Sequence, residues 1–233
     1  MLKKALTSLI QNKRVRSSRL ICYLVFLFYP HPKNRTTLWD STSLVMKEAL
    51  AKWVKNSERI LEIGTGDVGL LSYFLANIRE VDITAVDICD EFIINSAKNS
   101  KRHPNINFFK SDLYDGIRKG KKFDIIFSNP PYVKSVMINP EGHMKYHRFS
   151  QEKMLYYASD GGDDGIKVIS EIIRGAGDFL EKDGSLILGF NKSHIEMESL
   201  KRVIKESEFQ LYDKINSNYT SCIAINLKKV KKS

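Results

Sequence analysis

The sequence predicts an α/β fold in which a mostly parallel sheet is covered by helices on both faces. From residue 40 onward, short apolar runs alternate with amphipathic stretches, as is typical of strand–helix–strand units. One run, residues 123–128, is almost unbroken in its apolar character, which indicates a strand buried on both faces. The 233 residues are 42% hydrophobic and 27% charged, which is the composition of a globular chain and not of a disordered one.

The expected elements begin with a helix that starts at Asp40 or Ser41, either of which is a good N-cap residue, and runs to about Val54. A later helix is expected to open with a capping box of Ser193 and Glu196. Residues 133–160 are long and polar and are expected to form a substrate loop. The remaining elements are strands at 59–63, 81–87, 106–110, 123–128 and 185–190, helices at 68–78, 90–101, 166–179 and 193–207, and closing strands at 209–212 and 222–227.

Residues 1–39 are expected to form a basic and apolar extension, and residues 40–233 a single domain. Residues 2–10 have helical apolar spacing among basic residues. Residues 20–28 are nine consecutive apolar residues, too few to span a bilayer. We interpret them as a docking strand or a buried helix, without stable membrane insertion. A secretion signal or a membrane-surface anchor is the alternative.

The formal net charge of +10 favours a polyanionic partner, meaning nucleic acid, a ribonucleoprotein or an acidic protein, and a basic proteome or plain solubility is the alternative. Cys22, Cys89 and Cys222 are far apart and form no C-x-x-C pair. They predict reduced thiols in a cytoplasmic chain and argue against a disulfide framework or a zinc site. His143 and His147 stand four residues apart, but no third ligand lies near them, so no metal site is expected.

A glycine-rich turn, residues 62–69, follows the first expected strand and opens a helix. Its glycines allow a tight turn and a close approach of the backbone to a ligand. Asp87 ends the next strand about twenty residues later, where a carboxylate accepts hydrogen bonds from ribose hydroxyls; a helix-capping role is the alternative. Because Glu62 would repel a pyrophosphate, a positively charged nucleoside such as S-adenosylmethionine fits better than a dinucleotide.

The third expected strand is followed by Ser111-Asp112-Leu113. Asp112 is a candidate acceptor for an adenine amino group, and Leu113 a candidate cover for the ring face. The two residues extend the predicted nucleoside site from the ribose to the base.

Asn129-Pro130-Pro131-Tyr132 ends the buried strand 123–128. Two prolines stop the ladder of hydrogen bonds, so the Asn129 amide is held at the carboxyl end of the sheet. Its oxygen and the Pro130 carbonyl are neighbouring acceptors that suit an NH₂ group, and the Tyr132 ring suits stacking on a planar group. Planar NH₂ groups occur on side-chain amides and on nucleobases. The alternative is a loop that merely ends a strand.

In this order the motifs resemble those of class I S-adenosylmethionine-dependent methyltransferases that act on planar nitrogens. The resemblance covers roughly residues 40–228 and implies a Rossmann-like fold with a seven-stranded, mostly parallel sheet. The glycine loop at 160–165 is similar to that of the HemK branch, the peptide chain release factor glutamine methyltransferases. This resemblance implies S-adenosylmethionine as the cofactor and a glutamine amide held by the catalytic candidates Asn129, Pro130, Pro131 and Tyr132. The predicted cofactor-binding residues are Glu62, Gly64, Thr65, Gly66, Asp67, Val68, Asp87, Asp112, Leu113 and Asn129.

The leading hypothesis is therefore an N-methyltransferase of a protein glutamine, with a substrate such as a translation release factor. Its rival methylates an exocyclic amine of a base in RNA or DNA, which the basic charge favours. A third hypothesis is a non-catalytic nucleic-acid-binding module of the same fold, which the intact cofactor and amide motifs disfavour. A nicotinamide oxidoreductase is disfavoured by Glu62 and by the Asn129–Tyr132 segment.

Overall fold

The computed structural model describes residues 2–31, 38–147 and 152–231, without the side chains of residues 2–6, 143 and 145–147. Its seven strands form one sheet in the order β3-β2-β1-β4-β5-β7-β6. Strands β1 to β5 pair in parallel, and β7 is antiparallel to both of its neighbours. The predicted seven-stranded, mostly parallel sheet is thereby confirmed. The strands are β1 (Arg59–Ile63), β2 (Asp82–Asp87), β3 (Ile106–Lys110), β4 (Phe123–Ser128), β5 (Leu180–Asn191), β6 (Phe209–Asn216) and β7 (Cys222–Lys229).

Helices cover both faces of this sheet, and each face has its own apolar cluster. The α-helices within the described residues are α1 (Leu2–Gln11), α2 (Lys13–Arg16), α3 (Arg19–Phe26), α4 (Ser41–Trp53), α5 (Leu70–Ile78), α6 (Asp90–Ser96), α7 (Pro140–His147), α8 (Glu152–Ser159), α9 (Lys167–Phe179) and α10 (Met197–Glu206). The cluster on one face includes residues of α3, α4 and α5, and the cluster on the other includes residues of α9 and α10.

The strand register brings the predicted motifs to one edge. Ile63, the last residue of β1, lies opposite Val86 of β2 and Ser128 of β4. The glycine turn follows β1, Asp87 is the last residue of β2, and Asn129 follows β4. All three therefore lie side by side. This is the carboxyl edge of the parallel strands, where open α/β sheets bind ligands.

Helix α4 begins where the sequence predicts. The Asp40 carboxylate accepts a 2.7 Å hydrogen bond from the Ser43 backbone N–H. The Asp40 N–H in turn donates to the Ser43 hydroxyl over 3.2 Å, which completes a reciprocal N-terminal cap. The cap fixes the start of α4 beside the ligand-binding edge.

The apolar run at residues 20–28 forms a helix that is buried on one face only. Cys22 and Phe26 of α3 are fully buried, and Phe26 packs edge-on against Phe74 of α5 at 6.3 Å between ring centroids. The opposite face is exposed. Along the part of the chain that the structure describes, no helix combines the length and the apolar character needed to cross a membrane.

Two local predictions were wrong. The capping box at Ser193 does not form, because β5 continues to Asn191 in pairing with β7. The Ser193 hydroxyl and N–H both donate to Asn191 Oδ1, at 2.7 and 3.0 Å, and α10 starts only at Met197. The loop predicted over residues 133–160 contains α7 and α8, together with a 3₁₀ turn at Ser135–Met137.

Candidate active site

The glycine turn after β1 has the backbone conformation that only glycine adopts without strain. Gly64 and Gly66 have φ of +76° and +67°, in the left-handed region. The N–H groups of Gly64 and Thr65 donate to the Val86 carbonyl of β2 at 2.9 and 3.0 Å. A Cβ built on Gly66 would meet nothing within 4 Å, so the turn borders open space. The turn is thus anchored to β2 and presents bare backbone to a ligand.

Asp87 is buried at the end of β2, and its carboxylate is tied to this turn. It accepts hydrogen bonds from the Gly66 N–H at 2.9 Å and from the Cys89 N–H at 3.0 Å. Burial raises the pKa of Asp87 to about 6, although both backbone hydrogen bonds oppose the rise. The carboxylate is therefore fixed in position, and its charge changes just below neutral pH.

Two further acidic side chains lie at the same turn. Glu62 is buried and accepts hydrogen bonds from the Thr65 hydroxyl at 2.9 Å and from the Ser72 hydroxyl. Burial raises the pKa of Glu62 to about 7, and the nearby Asp87 charge adds to the rise. Asp67 is also buried and accepts from the Asn95 side-chain amide. Three carboxyl groups in one place favour a cationic ligand and disfavour a phosphate.

A cavity, which we call the first cavity, brings most of the predicted cofactor residues together. Trp39 from the first segment of the chain and Tyr157 from α8 also line it. Asp112 is exposed and Leu113 half-buried after β3, and neither is among its lining residues. The predicted residues that line it are Glu62, Gly64, Thr65, Gly66, Asp67, Val68, Asp87 and Asn129, with Pro131 beside them.

Asn129 also lines a second cavity, and Asp40, Pro131 and Ala158 likewise line both cavities. The second cavity is bordered by Asn129 to Val133 and by Arg16. The side-chain oxygen of Asn129 is buried and has no hydrogen-bond partner within the described residues. An unpaired buried oxygen costs about 1–3 kcal/mol. Its position between two cavities is therefore the strongest structural sign of a ligand-binding atom.

Tyr132 is held in place by its hydroxyl. The hydroxyl shares a 2.7 Å hydrogen bond with Thr42 of α4, and burial raises the pKa of Tyr132 well above its ordinary value. Its ring centroid lies 6.0 Å from that of His194. The Asn129–Tyr132 segment is thus linked both to the sheet and to α4.

The glycine loop at residues 160–165 braces this segment, a role that the sequence did not reveal. The Gly161 N–H donates to the Val133 carbonyl at 2.8 Å. A Cβ on Gly161 would lie 2.6 Å from Tyr132 Cα. A Cβ on Gly165 would lie 2.4 Å from the His194 carbonyl oxygen and 2.8 Å from that of Tyr132. Only glycine allows the loop to pack this closely against the backbone of Tyr132.

Arg16 is a cavity residue that the sequence did not single out. Its side chain is buried, and it donates from Nε to the Ile10 carbonyl and from Nη2 to the Ser41 hydroxyl, both at 2.7 Å. It lines the second cavity. The sequence carries no signal for this placement, since Arg16 is one of many basic residues in its segment.

The side chains of His143, Tyr146 and His147 lie outside the described residues. Tyr156 and Tyr157 of α8 are partly exposed, and only Tyr157 contributes to the first cavity. Among the described side chains, no three or more His, Cys, Asp or Glu residues are arranged to hold a metal ion.

Comparisons with known proteins identify the family of the chain. Residues 36–145 match the model of the methyltransferase small domain family. A putative protein N5-glutamine methyltransferase from Methanocaldococcus jannaschii is 34% identical over 158 residues, which are 66% of this chain and 70% of the relative. A ribosomal protein uL3 glutamine methyltransferase from Francisella tularensis is 31% identical over 156 residues, 64% of this chain and 47% of the relative. The chain spans about half the length of the first curated relatives that it matches.

The fold has a solved counterpart as well. A methyltransferase from Pyrococcus furiosus superposes with a TM-score of 0.63 at 20% sequence identity, over 94% of this chain and 97% of that chain. At this level of identity the likeness concerns the fold alone. The fold of this chain is therefore similar to that of a methyltransferase.

Proposed function

This chain belongs to the HemK-like family of class I S-adenosylmethionine-dependent methyltransferases, and from that premise we propose that it methylates the side-chain amide nitrogen of a glutamine in a protein. The observation that carries the proposal is the unpaired Asn129 oxygen between the two cavities. The first cavity holds the methyl donor, the second receives the glutamine, and Asn129 stands where they meet.

The residues of the first cavity fit S-adenosylmethionine. The buried Asp87 carboxylate provides acceptors for two ribose hydroxyls. The bare backbone at Gly66 lets the nucleoside approach closely. The carboxyl groups of Glu62, Asp67 and Asp87 suit the positive charge of a sulfonium compound. Trp39 Nε1, buried and without a partner in the described part of the chain, adds a donor at the cavity wall.

The cofactor, when bound, supplies an electrophilic methyl group that leaves a neutral thioether behind. The task of the chain is to make an amide nitrogen attack it, although the nitrogen lone pair is delocalised into the carbonyl. Asn129 Oδ1 and the Pro130 carbonyl each accept a hydrogen bond from one N–H of the substrate amide. These two hydrogen bonds direct the nitrogen lone pair toward the methyl group. Both oxygens also stabilise the positive charge that develops on the nitrogen. After methyl transfer the nitrogen releases one of its two protons to water. Tyr132 packs beside the amide plane.

The names of relatives support a protein glutamine as the substrate. The two relatives described above are named as a glutamine methyltransferase of ribosomal protein uL3 and as a putative protein N5-glutamine methyltransferase, and several others as release factor glutamine methyltransferases. We propose that the substrate of this chain is a protein of the translation apparatus of this kind. The cytoplasm is the compartment consistent with such a substrate.

A labelling experiment tests the proposal and separates it from base methylation. The purified chain is incubated with methyl-labelled S-adenosylmethionine and, separately, with total RNA, with DNA and with a protein lysate. We expect label in protein, recovered as N5-methylglutamine after proteolysis. Label confined to RNA or DNA would instead identify a base amine as the acceptor.

Replacement of Asp87 by asparagine is expected to weaken the binding of S-adenosylmethionine about 10- to 100-fold at pH 7.5, measured by titration calorimetry. A charge-assisted hydrogen bond contributes about 1.5–3 kcal/mol. The carboxylate is the form that accepts ribose hydroxyls, and the pKa of Asp87 is about 6. The affinity of the unaltered chain should therefore be highest above pH 7 and fall as the pH drops below 6.

The Asp87→Asn variant should lose this dependence around pH 6, and any change that remains near pH 7 belongs to Glu62. Asp82→Asn is the matched control, because Asp82 is exposed at the opposite end of the same strand. Equal affinities of the Asp87→Asn variant and the unaltered chain would remove Asp87 from the site.

A further inference from the structure

The positive charge of the chain is concentrated in residues 1–39. This segment contains eight of the 37 Lys and Arg residues and none of the 27 Asp and Glu residues. It therefore contributes +8 of the formal net charge of +10 and leaves +2 for residues 40–233. Such an asymmetry indicates a segment that meets an anionic surface.

The same segment exposes a continuous apolar stripe along α3. Leu20, Tyr23 and Leu24 follow the i, i+3, i+4 spacing of one helix face, and Leu27, the C-cap residue with φ of +54°, follows at the end of α3. Their side chains are 61%, 48%, 68% and 49% exposed, respectively. A helix that is apolar all round is normally covered on all sides, yet α3 is covered only on its inner face.

The stripe has a rigid support. On the inner face, Phe26 packs against both Phe74 and Trp39, with centroid separations of 6.3 and 6.0 Å. Just beyond α3, Phe28 stacks on Tyr73 at 4.4 Å with an interplanar angle of 8°. The carbonyl of Leu27 accepts a hydrogen bond from the Asn77 side chain at 2.9 Å. The outward orientation of the stripe is therefore fixed by the core.

Basic and aromatic groups border the stripe. The Arg19 guanidinium lies 5.5 Å from the centre of the Tyr29 ring, and the Tyr29 and Tyr23 rings meet edge to face at 6.5 Å. Arg14 is exposed on the neighbouring helix α2. Leucines flanked by tyrosines and by basic residues are typical of helices that lie in the interface of an anionic bilayer.

From these observations we propose that α3 and its basic neighbours form a peripheral docking surface for an anionic lipid membrane. The leucines enter the boundary of the acyl chains, and the basic residues meet lipid phosphates and carboxylates. Nucleic acid would account for the charge but leaves three exposed leucines without a partner. A second copy of the chain would bring two acid-free basic segments together, which is unfavourable.

Sedimentation with lipid vesicles tests this surface. The full chain is mixed with vesicles of phosphatidylcholine alone or with one third phosphatidylglycerol, at low and at high salt. We expect binding to the anionic vesicles, reduced by salt, and weak binding to the neutral ones. The double variant Leu20→Ser/Leu24→Ser should lower binding to anionic vesicles at least about tenfold, because each exposed leucine loses its apolar burial.

The matched control is Leu211→Ser/Val230→Ser, which removes two other exposed apolar side chains and should bind like the unaltered chain. Thermal unfolding and calorimetry with S-adenosylmethionine show that each variant is folded. Vesicle binding that survives Leu20→Ser/Leu24→Ser, or no binding to anionic vesicles at all, overturns the proposal. Binding to polyuridylic acid without binding to either kind of vesicle also overturns the proposal.

Discussion

Replacement of Asn129 by alanine is expected to abolish measurable methyl transfer, a loss of about 10²–10³-fold or more, because it removes an acceptor that acts on charge developing in the transition state. The affinity for S-adenosylmethionine should change little, since the glycine turn and Asp87 remain. The free energy of unfolding of the ligand-free chain should not fall by more than about 1 kcal/mol, because removal of the unpaired buried oxygen relieves a cost of about 1–3 kcal/mol and offsets the packing lost with the side chain. Single-turnover label transfer, calorimetry and urea unfolding measure the three quantities.

Asn105→Ala is the matched control. The Asn105 side chain donates a 2.8 Å hydrogen bond to the Val81 carbonyl, at the opposite edge of the sheet from the site. This substitution should reduce stability by about 1 kcal/mol and leave methyl transfer intact. Unchanged turnover of Asn129→Ala would contradict the proposed role of Asn129. A large loss of stability without a loss of turnover would assign the residue to the fold alone.

Replacement of Gly165 by alanine is expected to lower the free energy of unfolding by about 3–5 kcal/mol and to reduce methyl transfer in the molecules that remain folded. Gly165 has φ of +77°, which a Cβ makes unfavourable. The new Cβ would also lie 2.4 Å from the His194 carbonyl oxygen and 2.8 Å from that of Tyr132. Because these are backbone atoms, the loop and the Asn129–Tyr132 segment have to separate. Urea unfolding and label transfer below the unfolding transition measure both effects.

Gly120→Ala separates the two contributions. Gly120 has a similar φ of +82°, but a Cβ there would meet nothing within 4 Å. The Gly120→Ala variant should lose only about 1 kcal/mol of its free energy of unfolding, which is the cost of the backbone conformation. It should keep full methyltransferase activity. If Gly165→Ala and Gly120→Ala were equally stable, the loop would not brace the site.

Five of the seven strands have their predicted bounds to within two residues, whereas β5 begins at Leu180 instead of residue 185 and β6 ends at Asn216 instead of residue 212. Residues 123–128 form β4 with the predicted bounds, because both faces of the strand are buried and Pro130 and Pro131 forbid its continuation. The glycine turn and Asp87 were also predicted together, since the carboxyl ends of neighbouring parallel strands must meet. These features depend on short stretches of sequence and on the topology of the sheet.

Other features depend on contacts that no local pattern encodes. Ser193 and Glu196 have the spacing of a capping box, but pairing with Cys222 extends β5 to Asn191, whose side chain accepts hydrogen bonds from both the N–H and the hydroxyl of Ser193. The run at residues 20–28 could not be assigned to strand or helix, because an unbroken apolar run lacks periodicity. Arg16 was not predicted as a cavity residue, because its position depends on hydrogen bonds to the Ile10 carbonyl and to the distant Ser41 hydroxyl.

Trp39 belongs both to the support beneath α3 and to the wall of the first cavity. Its ring contacts Phe26 at 6.0 Å between centroids and Arg16 at 5.9 Å, and the same residue lines the space proposed for the adenosyl group. Thermodynamic coupling between two sites is reciprocal. A partner of α3 that changes the affinity for the nucleoside through this indole therefore has its own affinity changed by the nucleoside by the same factor. The proposed docking surface on α3 and the proposed methyl-donor cavity thus share the side chain of Trp39.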